Sequence, residues 1–284
     1  MRVDAHQHFW NYDPVRDAWI NEAMSVLRRD FTPKDLAPEL AAHRIDSTIV
    51  VQVDQSEAET HFMLDLAEKH SHIGAVVGWV DFRAPNIRER LSYFSKFPKL
   101  RGFRHIVQNE PDDRYLLRED FLRGIACLGE FDFLYEVLIF PKQLPAAVEF
   151  VAKFPKQPFV LNHIAKPLIK AKEIDFWSKH MRALAAAPNI SCKVSGMITE
   201  ADWKNWRPED LRPYLDVVFE AFGPDRLLFG SDWPVCMLAG TYDQVTRLLE
   251  DYVRDLPQTE RDKLFGDNAA RIYGVKPAGA KAQR

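Results

Sequence analysis

Eight short apolar or β-branched runs recur along the chain with helix-period segments between them, and this alternation constrains the fold more than any single motif. The runs are Arg2–His6, Thr48–Val53, Ile73–Val80, Leu100–Ile106, Phe133–Phe140, Phe159–His163, Ile190–Val194 and Leu227–Gly230. Several are continuously apolar, as strands covered on both faces must be. Between them, Leu144, Ala147, Val148 and Val151 share one helical face, and so do Val245, Leu248, Leu249, Tyr252 and Val253. Leu215, Val218, Phe219 and Phe222 mark a further helix, expected to start at Pro213 and to stop at Gly223-Pro224.

Repeated βα units imply a parallel sheet in an α/β protein. Eight of them suit a closed barrel better than an open doubly wound sheet, which usually has fewer strands and a glycine-rich first turn; no G-x-G-x-x-G occurs. The expected architecture is one TIM-like (β/α)8 barrel over residues 1–275, with 276–284, small and polar, as a frayed tail. In such a barrel catalytic side chains come from the carboxyl ends of different strands and converge on one face.

Acidic and basic residues are mixed along the chain with a net charge of −3, so no broad footprint for nucleic acid or anionic membrane is expected. A small molecule is the better default partner, and the oligomeric state stays open. Cys127, Cys192 and Cys236 are odd in number and lack a C-x-x-C spacing, which argues against a disulfide framework or zinc knuckle and for a reducing compartment. With no signal-peptide pattern and no apolar run of spanning length, a cytoplasmic location is expected.

At the first strand end, Asp4-Ala5-His6-Gln7-His8-Phe9-Trp10 sets two imidazoles at i and i+2, on one side of a strand. Alone, that spacing describes a pair of surface histidines more readily than a chelating pair. The sixth run opens into His163, and the eighth into Gly230-Ser231-Asp232-Trp233-Pro234, where a carboxylate after an apolar strand is costly unless paired or functional. His6, His8, His163 and Asp232 would meet at the mouth of a barrel, and their joint placement favours a site over coincidence.

These motifs, with Gly102-Phe103-Arg104-His105, Leu161-Asn162-His163-Ile164-Ala165-Lys166-Pro167 and Cys192-Lys193-Val194-Ser195-Gly196, resemble the amidohydrolase superfamily. More narrowly they are similar to the amidohydrolase 2 branch that contains the L-fucono- and L-rhamnono-lactonases, over roughly Arg2 to Tyr273. The resemblance implies a distorted barrel, hydrolysis, and Asp232 as the group that activates water. It also implies one divalent metal ion, zinc first, held by His6, His8, His163 and Asp232, or a metal-independent site whose histidines polarise the substrate carbonyl. The seventh run offers Lys193 and Ser195 in place of a histidine, which argues against a two-metal centre.

The expected reaction is the opening of a sugar-acid lactone by Asp232-activated water, with His6, His8 and His163 stabilising the oxyanion. Arg104 and His105 are expected to bind substrate, Arg104 having ion-pairing to a barrel carboxylate as its alternative. Trp10 and Trp233, with Trp79, are sugar platforms or core. Lys193 reads as a structural ion pair ahead of a contact to substrate oxygens, and Glu136, costly in an apolar strand unless paired, is left open between an extra ligand and a partner for a nearby base. The competing functions are a metal-dependent decarboxylase of an unsaturated acid, distinguished by carbon dioxide release, and a non-catalytic sugar-acid binding protein, distinguished by binding without turnover.

Overall fold

The structure, a computed structural model, describes residues 1–276. Each of the eight runs overlaps a strand: β1 Val3–Gln7, β2 Ser47–Val51, β3 Ile73–Gly78, β4 Leu100–His105, β5 Leu134–Val137, β6 Phe159–Leu161, β7 Ile190–Val194 and β8 Leu227–Phe229. Neighbours pair in parallel, in chain order from β1 to β8. The intervening helices are α1 Pro33–Ala42, α2 Glu57–Lys69, α3 Ile87–Phe94, α4 Glu119–Ile125, α5 Leu144–Lys153, α6 Asp175–Ala185, α7 Pro208–Phe222 and α8 Tyr242–Tyr252. The expected (β/α)8 barrel is therefore present. Lys276 is the one residue of the expected tail that is described; 277–284 lie outside the described residues.

Strand alternation divides the apolar residues into two cores. Ile49, Val51, Ala75 and Val77 point into the barrel with Ala5, Val160 and Leu228, whereas Val50 and Val76 join the larger core shared with the helices. Both faces are covered, which is why the strands read as continuous apolar runs. Past α8 the chain forms α9 Gln258–Asp262, a π-helical turn Lys263–Asp267 and α10 Asn268–Tyr273. Ala269 and Tyr273 from α10 enter the inner core and cover the base of the barrel.

The barrel is distorted at its seam. β1 and β8 share no regular ladder; they meet beyond the end of β8, where the His8 N–H donates to the Trp233 carbonyl and the Asp232 N–H to the His6 carbonyl, both at 2.8 Å. Deeper in, the Asp4 carboxylate does the joining. It accepts from the Ser231 N–H at 2.9 Å, the Ser231 hydroxyl at 2.6 Å, the Tyr242 hydroxyl at 3.1 Å and the His6 N–H at 3.1 Å.

Several sequence boundaries are corrected, β2 ending at Val51 instead of Val53 and β3 at Gly78 instead of Val80 among them. Helix α7 starts at Pro208, five residues before the expected Pro213. Pro208 takes the first-turn position where its missing N–H costs nothing, and the Asp210 carboxylate accepts from the Arg207 N–H at 3.0 Å. Gly223, at φ +65°, ends the helix as expected. Strand β5 stops at Val137 instead of Phe140, and β6 at Leu161 instead of His163, because the chain turns there into loops that serve the site. The three cysteines are free and buried, and no described helix is long and apolar enough to cross a membrane.

Candidate active site

Relative to β2, β1 carries an extra residue between Asp4 and Gln7. This bulge lets Ala5 belong to the apolar interior while His6 and His8 both face the barrel mouth. His8 Nδ1 lies 2.7 Å from the Val51 carbonyl, which can only accept, so Nδ1 carries the proton and Nε2 presents a lone pair. His8 Nε2 is 3.3 Å from Asp232 Oδ1, and the Nε2 atoms of His6 and His163 are each 3.7 Å from the same oxygen. The four residues expected to meet do meet.

His163 arrives by an unusual route. His163, Ile164, Ala165 and Lys166 have φ of 51°, 47°, 57° and 47°, a left-handed turn without a glycine. Each such residue costs about 1–2 kcal/mol, which the surroundings must offset. Ile164 and Ala165 are fully buried, the Ile164 carbonyl accepts from Trp177 Nε1 at 2.8 Å, and the Lys166 N–H closes on the His163 carbonyl at 2.8 Å. With about three residues per turn, positions i and i+3 share a face, and His163 and Lys166 both line the same cavity. Gly196, at φ +62°, sits against the other side of the His163 ring, where a Cβ would come within 2.5 Å of Nδ1. Ser195 Oγ holds that Nδ1 at 2.9 Å.

Burial disfavours charge on all three imidazoles. His6 is pushed well below the usual histidine range, with Lys193 adding to the effect; His8 is lowered against the opposing pull of Asp232; His163 falls to about 3. Burial alone would raise the Asp232 carboxyl, but the neighbouring His163, His8 and Lys166 outweigh it and hold it at about 2. At neutral pH the site is thus one carboxylate among three neutral imidazoles, able to take a proton from water or to grip a cation.

The ligand atoms of His6, His8 and Asp232 lie within 4.8 Å of one another, and His163 Nε2 faces the same carboxylate oxygen. Nitrogen and carboxylate donors of this kind suit a single divalent ion, and the Val51 carbonyl and Ser195 hydroxyl supply the outer hydrogen bonds that orient such ligands. His6 is the exception in detail. Lys193 Nζ lies 3.3 Å from its Nδ1 and Arg104 Nη1 3.3 Å from its Nε2, so two cationic groups compete with a metal there.

The cavity above this group measures about 250 Å³ and is lined by His8, His163, Asp232, Arg104, Lys166 and Trp19, among others. Arg104 stands where a substrate group could reach it. Its Nη1 donates to Asn162 Oδ1 at 3.0 Å and its Nη2 to the Gln52 carbonyl, and among the described residues no carboxylate ion-pairs with it, so the alternative reading of Arg104 is not what holds it.

Three expected binding residues lie behind the wall instead of on it. His105 is buried, stacked on Tyr115 at 4.9 Å, with Nε2 2.6 Å from Glu110 and Nδ1 accepting from Trp79 Nε1. Trp10 packs on Phe31 and donates to the Arg29 carbonyl, and Trp233 packs edge-on against Phe9 and Phe31. Aromatic bulk at a strand end went to the core in both cases. The cavity takes Trp19 instead, 41% exposed, from the connection of residues 8–32 between β1 and α1. That connection's length was the available signal, because long loops in barrels tend to carry function. Lys166 had only its place in the Leu161–Pro167 motif and the proline that follows it.

Glu136 and Lys193 find each other: Nζ lies 2.6 Å from Oε1, with both side chains fully buried. Asn162 Nδ2 donates to Glu136 Oε2 at 2.7 Å, so Asn162 links Arg104 to Glu136. Burial lowers Lys193 to about 8 against the pull of Glu136.

A family profile described as amidohydrolase matches residues 3–275. The chain is 43% identical over 293 residues to an L-fucono-1,5-lactonase of Burkholderia multivorans (strain ATCC 17616 / 249), the match covering 99% of each chain. It is 35% identical over 286 residues to an L-fucono-1,5-lactonase of Burkholderia ambifaria, covering 98% of each. A crystal structure of a Burkholderia multivorans amidohydrolase with bound zinc superposes with a TM-score of 0.92 at 43% identity, over 97% of this chain and 100% of that one. Barrel, histidine-carboxylate cluster, profile and relatives agree: the chain belongs to the amidohydrolase family.

Proposed function

We propose that the protein hydrolyses a sugar-acid lactone, with Asp232 as the base. The observation that carries this reading is Asp232 Oδ1, ionised and ringed by three neutral imidazole Nε2 atoms on the wall of a small-molecule cavity. The lactonase name of relatives at 43% and 35% identity supports the substrate class.

In this reading water stands beside Asp232, which takes its proton as the oxygen adds to the lactone carbonyl carbon. Base assistance of this kind contributes about 10²- to 10⁴-fold in rate. His8, protonated at Nδ1, has only an acceptor at Nε2 and so helps to position the water or a cation. His6 is the complement: Lys193 donating to Nδ1 places the proton on Nε2, which with Arg104 Nη1 forms a pair of donors for the developing oxyanion. A divalent ion, zinc by analogy with the solved relative, would be held by His8, His163 and Asp232, with His6 joining them only once its Nε2 gives up its proton, and would supply Lewis-acid polarisation of the carbonyl. The metal-independent alternative is favoured by one observation, the Lys193 and Arg104 donors on either side of His6.

The test is a panel of aldonolactones assayed by proton release, with carbon dioxide measured alongside. Lactone opening releases a proton and no carbon dioxide, and Asp232→Asn lowers kcat by about 10²-fold or more. An Asp232→Asn variant with wild-type turnover defeats the assignment. Carbon dioxide release points to the decarboxylase reading, and tight binding without turnover to a binding protein. Loss of turnover on chelation, restored by zinc, assigns the polarising role to the ion; unchanged turnover assigns it to His6 and Arg104.

A further inference from the structure

Lys166 occupies a position that the hydrolytic residues leave unfilled. It follows His163 by one turn of the left-handed segment and lines the same cavity. Its Nζ lies 3.3 Å from Glu200 Oε1, in the loop after β7, and 5.8 Å from the centre of the Phe140 ring. Both side chains of the pair are about four-fifths buried, at 19% exposure each, so the ammonium is tethered at the cavity instead of trailing in solvent. The other cationic group on the wall, Arg104, is already committed to Asn162, the Gln52 carbonyl and His6.

Opening a lactone charges two oxygens in turn. The carbonyl oxygen becomes negative when water adds, and the ring oxygen becomes negative when its bond to the carbonyl carbon breaks. Both are attached to one carbon and point in different directions, so a donor pair fixed on the first does not serve the second. His6 and Arg104 come from β1 and β4, whereas Lys166 extends from the turn after β6 into the same cavity. A charged donor is the strongest partner for an alkoxide.

We propose that Lys166 is a catalytic residue whose ammonium hydrogen-bonds the ring oxygen and stabilises the departing alkoxide, with Glu200 positioning it. Asp232 takes one proton from water as the new carbon–oxygen bond forms. The ring carbon–oxygen bond then breaks with its electron pair on the ring oxygen, Asp232 returns the proton to that oxygen, and the product is a hydroxy acid that ionises to solvent. Lys166 keeps its protons throughout. The inference rests on the lactone-hydrolase reading.

The experiment measures kcat and KM on an aldonolactone turned over by the wild-type protein, with the thermal midpoint of each variant recorded beside them. Lys166→Met keeps the stem and removes the charge, and is expected to lower kcat by about 10²-fold with KM within a few-fold, the scale of losing one oxyanion donor. Lys166→Arg restores most of the loss. Lys166→Met with Glu200→Gln, which removes the orphaned carboxylate, does not. Three results overturn the proposal: unchanged kcat in Lys166→Met, a loss confined to KM, or recovery in the double variant, which would assign the effect to an unpaired Glu200. Absence of lactone turnover by the wild-type protein defeats the parent reading instead, so the two failures are distinct.

Discussion

Lys193 and Glu136 form an ion pair at 2.6 Å with neither side chain exposed, and Tyr273, from the last helix, donates its hydroxyl to the same carboxylate oxygen at 2.5 Å. Two desolvated charges of this kind are costly to separate. Lys193→Met leaves the buried Glu136 without its cation and is expected to lower stability by about 3–5 kcal/mol in urea titrations. Adding Glu136→Leu should recover much of that loss. If the two substitutions simply add in a double-mutant cycle, the pair is not coupled.

Gly196 meets two demands at once, a left-handed φ and the face of the His163 ring. Gly196→Ala is expected to cost about 1–2 kcal/mol from the backbone alone. The added methyl must also displace the imidazole, so kcat falls by roughly tenfold or more. An alanine variant with full turnover and a lowered thermal midpoint would separate the backbone demand from the catalytic one and refute the second.

Trp19 and Trp10 are in edge-to-face contact at 6.2 Å, yet they do different work. Trp19→Ala is expected to raise KM about two- to tenfold with kcat retained, the effect of losing one aromatic face to a sugar ring. Trp10→Ala empties a buried site and should cost about 3–5 kcal/mol of stability. Quenching of tryptophan fluorescence by a lactone analogue, lost in the Trp19 variant, checks the assignment independently.

The acid side of the pH profile follows from the burial of the cluster. Asp232 stays ionised down to about 2, and His163 stays neutral down to about 3, so kcat/KM should show no acid limb between pH 5 and 8 from these groups. Stability behaves differently. His163 resists protonation in the folded state, so its contribution erodes as pH falls from 6.5 towards 3; that of Asp232 is complete above 3.8 and is lost as pH falls through 2. Asp4, raised to about 6 by burial, works in the opposite sense, favouring the folded state as pH drops from 6 to 3.8. Urea midpoints of metal-free wild type and His163→Asn across pH 4 to 7 test this, the variant showing the shallower acid decline.

The barrel was legible because strands buried on both faces read as uninterrupted apolar runs, and His6, His8, His163 and Asp232 because polar groups at the ends of such runs need a reason. What stayed hidden depended on contacts between distant segments. Nothing near Lys166 signals a left-handed turn, since the usual glycine is absent and tertiary contacts hold it, Trp177 on the Ile164 carbonyl and Ser195 on the His163 ring. Indole rings at strand ends pack inward or outward according to their neighbours, so Trp10 and Trp233 went to the core while Trp19 reached the cavity. Glu136 announced its need for a partner; that Lys193, Asn162 and Tyr273 all supply one is a property of the folded barrel. Pro213 lies inside α7, and Pro208 takes the helix-start position five residues earlier.

The junction of the first and last strands ties activity to the order of assembly. β1 and β8 are far apart in the chain, and their union is the pairing with the largest loop to close. The residues that make this union, Ser231, Asp232 and Trp233, include the proposed base. A refolding chain that has laid down seven strands still has its histidines but no reagent beside them. Recovery of turnover during refolding therefore clocks ring closure, whereas far-ultraviolet dichroism reports the helices and strands that precede it.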